Sequence, residues 1–134
     1  MSIRHFEDLL VVALQQDQPQ RLLLVFARAG LPQEATSEQR KQFLQGSGGT
    51  LTPILCVDRD AREVESFESL VIESQQTGEG WDIAFASTLS GHEGVMPTPE
   101  QADQPLRMMV KAIQLGNISN MLAFDRQGKI LRFL

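Results

Sequence analysis

Cysteine, histidine, clustered positive charge and long apolar runs are all scarce in this sequence. Cys56 is the single cysteine, so no intramolecular disulfide can form. The longest apolar run, Leu22 to Ala27, is far too short to cross a bilayer. The first residues, Met1-Ser2-Ile3-Arg4-His5-Phe6-Glu7-Asp8, do not show a basic stretch followed by an apolar core and a small-residue cleavage site. A reducing cytosol and no membrane partner are therefore expected. The 17 acidic residues outnumber the 12 Lys and Arg, leaving a net charge of −5. Phosphate binding needs clustered cations, and the nearest approach to a cluster, Arg40-Lys41, shares a short polar helix with Glu38. A nucleic-acid partner is not expected on that ground.

The rest of the composition is that of a globular chain, 42% apolar and 22% charged over 134 residues. A chain of this size hides roughly two-thirds of its unfolded surface, so it needs no disulfide or structural metal to fold. Neither repeats nor linkers interrupt it, and residues 1–134 read as one domain.

Periodicity supplies the elements. Ile3, Phe6, Leu9, Leu10, Ala13 and Leu14 share one helical face, with Ser2 as N-cap. Arg21 to Arg28 is apolar on both faces, as suits a central strand. Thr36 or Ser37 caps a short helix to about Gln45, ended by Gly46-Ser47-Gly48-Gly49. Pro53 to Val57 is a second strand, and a helix over about 62–76 follows, with Val64, Phe67, Leu70 and Val71 on one face. Trp81 to Ala86 is a third strand, and an irregular stretch then runs from Ser87 to about Asp103. Leu106, Met109, Val110 and Ile113 mark a fourth helix. Its start is read at Pro105 in preference to Pro99, because Pro105 would otherwise lie inside it. Met121–Phe124 and Lys129–Phe133 flank Asp125-Arg126-Gln127-Gly128, the pattern of a type I turn with a glycine bulge. Strands separated by helices imply parallel neighbours. The expected fold is α/β, a single-domain mixed sheet of about five strands, three parallel plus a C-terminal hairpin, flanked by about four helices.

Parallel sheets bind ligands beyond the carboxyl ends of their strands. Asp58 and Asp60 follow the second strand, and Ser90, His92 and Glu93 lie beyond the third, so these five are the candidate ligand-binding residues. No metal-ligand spacing joins them. Ser90 and His92 lack the G-x-S-x-G elbow of a hydrolase, the segment reading Thr88-Leu89-Ser90-Gly91-His92. Gly46 to Thr50 lacks the lysine of a phosphate loop and precedes a strand instead of following one. Cys56, mid-strand between Leu55 and Val57, is expected in the core. Val95 and Met96 are candidate exposed contacts for a partner.

Several segments together resemble a known group. They are Met1 to Leu10, Arg21 to Ala29, Cys56-Val57-Asp58, Gln76-Thr77-Gly78 leading to Trp81-Asp82-Ile83, Leu89-Ser90-Gly91 and Gln104-Pro105-Leu106. The chain resembles a family of small proteobacterial proteins often labelled "ribonucleotide reductase subunit alpha". Ribonucleotide reduction runs a thiyl radical beside a redox cysteine pair, and Cys56 cannot supply both, so the resemblance implies no catalytic residue here. The expected function is that of a small cytosolic interaction or regulatory protein, not an enzyme, with no cofactor and with a protein partner or homo-oligomer. The alternative is a small-molecule-binding domain or minor enzyme with its site at the strand carboxyl ends.

Overall fold

The structure, a computed structural model, describes residues 2–30 and 50–132. Its elements in chain order are helix α1 (Phe6–Leu14), strand β1 (Gln20–Gly30), strand β2 (Thr50–Asp60), a short 3-10 turn (Ala61–Glu63), helix α2 (Phe67–Gln75), strand β3 (Ile83–Ser90), helix α3 (Pro99–Gln114), and strands β4 (Leu122–Phe124) and β5 (Ile130–Leu131). The helix expected at 36–45 and its glycine connector lie outside the described residues. Among the described residues no helix is long and apolar enough to cross a membrane.

The five strands form one sheet in the order β2-β1-β3-β4-β5, and every neighbouring pair is antiparallel. This corrects the expected parallel core. Gly30 lies opposite Thr50, so β1 and β2 meet at the same end of the sheet, where a parallel pair would require the chain to be carried back to the other. A parallel relation does survive, but not between neighbours. Both β2 and β3 run antiparallel to β1, hence in the same direction as each other, with β1 between them.

β1 is central and covered on both faces. Leu22 through Ala27 are each at most 2% exposed. Leu22, Leu24 and Phe26 point into one layer with α1 and α2, and Leu23, Val25 and Ala27 into the other with α3. The first layer is aromatic. Phe6 packs against Phe67 at 4.9 Å between ring centroids and edge-on to Phe124 at 5.5 Å, while Phe26 meets Trp81 at 4.8 Å. β3 makes room with Ala84 and Ala86 beneath those rings and sends Ile83 and Phe85 into the α3 layer. Trp81 precedes β3 instead of starting it. Its indole Nε1 donates to Ser74 Oγ at 2.8 Å, and that hydroxyl donates to Val71 O at 2.6 Å.

Cys56 is exposed, against the expectation of a core position. β2 is an edge strand among the described residues, and its register shifts between Phe26 and Ala27 of β1. Leu55 and Val57 therefore serve the aromatic layer while Leu51 serves the α3 layer, and Cys56 falls outside both. Partial burial still pushes its thiol above the usual range.

Helix starts differ from the periodic reading wherever a cap outside the apolar pattern decides. α1 begins at Phe6 with His5 as N-cap, not at Ser2, because Arg4 and His5 are held extended against the β4–β5 turn. The helix expected over 62–76 is divided. Asp60 caps the 3-10 turn and Ser66 caps α2. α3 starts at Pro99 under a Thr98–Gln101 capping box and tolerates Pro105 inside it. The hydrogen bond that Pro105 cannot donate would have gone to the carbonyl of Gln101, an exposed residue. The C-terminal hairpin matches its expected turn. Gly128 has φ +84°, its N–H donates to Asp125 O at 3.0 Å, and Asp125 Oδ1 accepts from Gln127 N and Lys129 N at 2.9 Å each.

Replacing Ser74 with Ala strands the buried indole N–H of Trp81. We expect Ser74→Ala to cost about 1–3 kcal/mol. In urea unfolding followed by circular dichroism, adding Trp81→Phe to that variant should cost less than it does in the wild type.

Candidate functional site

Asp58, Asp60 and Ser90 do come to one end of the sheet, because β2 and β3 finish there together. The start of β1 lies between them. Arg21 is opposite Asp60 on one side and Leu89 on the other, and Gln20 is opposite Ser90. Segment 18–21 therefore organises this end, a role that the strand-end rule for parallel sheets does not assign to it. An arginine and a glutamine at the head of an otherwise apolar central strand were the available signal.

Each aspartate is already bound. Asp58 Oδ2 accepts from Arg21 Nε at 2.6 Å and lies 2.5 Å from Nη2, with the two side chains 25% and 14% exposed. The third guanidinium nitrogen, Nη1, reaches Pro97 O at 3.5 Å, tying β1 to the approach to α3. Asp60 Oδ1 accepts from Arg62 N at 2.8 Å and Arg62 Nε at 3.0 Å, and its Oδ2 accepts from Arg62 Nη2 at 2.7 Å. The Arg62 side chain beside Asp60 holds that carboxyl below the usual range, helped by the backbone N–H of the same residue.

Ser90 Oγ accepts from Gln20 Nε2 at 2.7 Å. Beyond it the chain forms a tight turn, not the irregular loop expected over 87–103. β3 continues to Ser90, and His92 and Val95 exchange backbone hydrogen bonds at 3.1 and 2.9 Å around Glu93 and Gly94. Those two have φ +51° and +78°, the signature of a type I′ turn, with the unusual cost of a glutamate at the first position. The turn is fastened to the start of β1. Gly91 N donates to Pro19 O at 2.7 Å, and Gly94 N donates to Gln18 Oε1 at 2.8 Å. A Cβ on Gly91 would run into the Val95 carbonyl and the Pro19 ring.

The turn holds His92 and Glu93 out in solvent, with side chains 91% and 83% exposed and 3.6 Å apart. No hydrogen bond or ion pair joins either aspartate to Ser90, His92 or Glu93, and none joins Ser90 to His92. Among the described residues no group of three or more His, Cys, Asp or Glu side chains is placed to hold a metal ion. A cleft of about 210 Å³ lies between the turn and the start of α3, lined in part by Leu89, Ser90, Met96, Pro97 and Gln101. It takes in Ser90 and His92 but neither aspartate. The five candidates thus share an end of the sheet without sharing a target.

Met108 lies off the buried stripe of α3 and is 64% exposed, Leu115 is 65% exposed, and Val95 on the turn is 67% exposed. Met96 is half-buried. In comparisons with known proteins, no family model, no curated protein and no solved structure matches the chain.

Two outcomes test this geometry. Gly91→Ala should lower stability by about 1–3 kcal/mol, since backbone must move to admit the methyl group. Amide spectra should then show the disturbance at 18–20 and 91–95 and leave the β4–β5 hairpin unmoved. Asp60, with its carboxyl depressed in the folded state, adds stability that is complete above the unfolded value near pH 4 and lost as pH falls through the folded value. Asp60→Asn should therefore be less stable than wild type at pH 7, and the gap should close on acidification below about pH 4. Thermal midpoints at a series of pH values measure it.

Proposed function

We propose that this chain is a small cytosolic interaction or regulatory protein, not an enzyme, and that it works by presenting one flank of α3 to a protein partner or to another copy of itself. The observation that carries this reading is the pair Met108 on α3 and Leu115 at its C-cap, both largely exposed. Pro105, Met108, Ala112 and Leu115 follow one another at steps of three, four and three residues. That is the spacing of an a/d seam, the pattern by which one helix packs on another. Lys111 lies one turn from both Met108 and Leu115 and borders this line, while Asp103 and Arg107 fall outside it.

The chemistry at the strand ends supports the same reading. Asp58 and Asp60 accept from arginines, Ser90 accepts from Gln20, and the cleft beside them is smaller than the roughly 300–1,000 Å³ usual for ligand sites. The net charge of −5 disfavours nucleic acid as the partner. A cytosolic location fits a chain whose one cysteine is unpaired.

The double variant Met108→Asp/Leu115→Asp should keep the circular dichroism and thermal midpoint of the wild type, because neither side chain is in the core. It should lose the self-association or partner capture that sedimentation and affinity capture detect with the wild type. An amide-resolved titration with nucleotides, divalent metals and pooled central metabolites provides the opposing test. Saturable shifts clustered at 58–60 and 87–97 would replace this reading with a ligand site at the strand ends.

A further inference from the structure

The ring of His5 is fixed in one tautomer by two bonds made at opposite sides. Nε2 lies 2.8 Å from Gln127 O, a carbonyl that can only accept, so Nε2 carries the proton. Nδ1 then holds a lone pair, and it accepts from Glu7 N at 3.1 Å, which makes the side chain the N-cap of α1. The backbone around it joins the same two elements. Phe6 N donates to Gly128 O at 2.8 Å, and Ile130 N donates to Arg4 O at 2.9 Å. The ring lies so close to Gly128 that a Cβ there would sit 2.6 Å from Nε2. One imidazole therefore fastens the start of α1 to the β4–β5 turn, 122 residues away in sequence.

A protonated imidazole has two N–H groups and no acceptor. On protonation the bond to Gln127 O survives, but the N–H of Glu7 faces a second N–H in place of a lone pair. Cations are also disfavoured at a helix N-terminus. The charged groups around the ring pull both ways. Glu7 and Asp8 on α1, Glu68 on α2 and Asp125 of the turn favour the cation, whereas Arg4, Arg126 and Lys129 oppose it. Two of the acids are already committed. Glu7 Oε1 accepts from Phe67 N at 2.9 Å, and Asp8 Oδ2 accepts from Arg4 N and His5 N at 3.0 and 3.1 Å. The ring borders an open groove with Ser66, Phe67 and Arg126, so protons reach it from solvent.

We propose that His5 is a proton-operated latch: the neutral ring caps α1 and docks it on the β4–β5 turn, and protonation releases the cap while leaving the aromatic layer in place. Histidine is the side chain that ordinarily changes charge between pH 5 and 8, and Asp and Glu titrate below that window. The test is amide hydrogen exchange at Glu7, Phe6 and Ile130 at pH 7.5 and pH 5.0, corrected for intrinsic rates. Asn is a strong N-cap that does not titrate, so His5→Asn is the control. Wild-type protection at Glu7 should fall roughly fivefold on acidification, the scale of one lost hydrogen bond, and His5→Asn should hold its protection across the same range. Equal losses in both proteins, or a histidine ring signal that titrates while Glu7 and Phe6 stay protected, would overturn the proposal. If His5→Asn does not fold, the wild-type ring signal and Glu7 protection still decide it, because the latch requires the two to share one midpoint.

Discussion

Everything in this fold is positioned by one strand that has neighbours in every direction. β1 pairs along its length with β2 and β3, sends alternate side chains into two different layers, and is sealed from solvent from Leu22 through Ala27. Burial on that scale is the main favourable term, since each large aliphatic or aromatic side chain contributes about 1.5–3 kcal/mol when fully buried. A strand apolar on both faces does not specify its own register, because a slip of one residue exchanges one apolar set for another. The register comes from its partners. Ala84 and Ala86 of β3 leave room for the aromatic rings on one face, the shift near Phe26 fixes β2, and Arg21 and Gln20 find Asp58 and Ser90 at one alignment.

The polar end of the sheet and the apolar layers are therefore parts of one specification. Arg21 pairs with Asp58 and also reaches Pro97 O, so it joins the edge strand to the approach to α3. The 18–21 segment holds the 91–95 turn through Pro19 O and the Gln18 side chain. Of the candidates in a linear reading, Asp58 and Ser90 also tie neighbouring strand ends together. Arg59 and Glu73 make a similar tie between β2 and α2.

Much of this was legible in the sequence where the signal was local. The two-faced apolar run of β1, the buried stripe Met109–Ile113 and the Asp125–Gly128 turn each follow from a short window. Strand direction was not, because alternating strands and helices fit adjacent parallel strands and also two parallel strands with a third inserted between them. Cys56 was misplaced because a five-residue apolar run does not reveal whether its strand is central or at an edge. The cap of α1 was missed because the partners of His5 and Arg4 lie in the C-terminal hairpin. Among the site candidates, the shared location of Asp58, Asp60 and Ser90 was legible from their strands' common direction. The engagement of Asp58 by Arg21 and of Ser90 by Gln20 was not, since it depends on where β1 begins.

Trp81 is the chain's one tryptophan, and there is no tyrosine. It sits 3% exposed among Phe26, Phe67 and Ser74, with the Arg126 guanidinium 4.9 Å from its ring centre. All of these belong to the layer of α1 and α2. The intrinsic fluorescence of this protein is thus a one-sided signal. It follows the wetting of the aromatic layer and is blind to whatever α3 does on the far side of the sheet, so a helix peeling from that face would leave the emission unchanged while the molecule had already uncovered its second apolar layer.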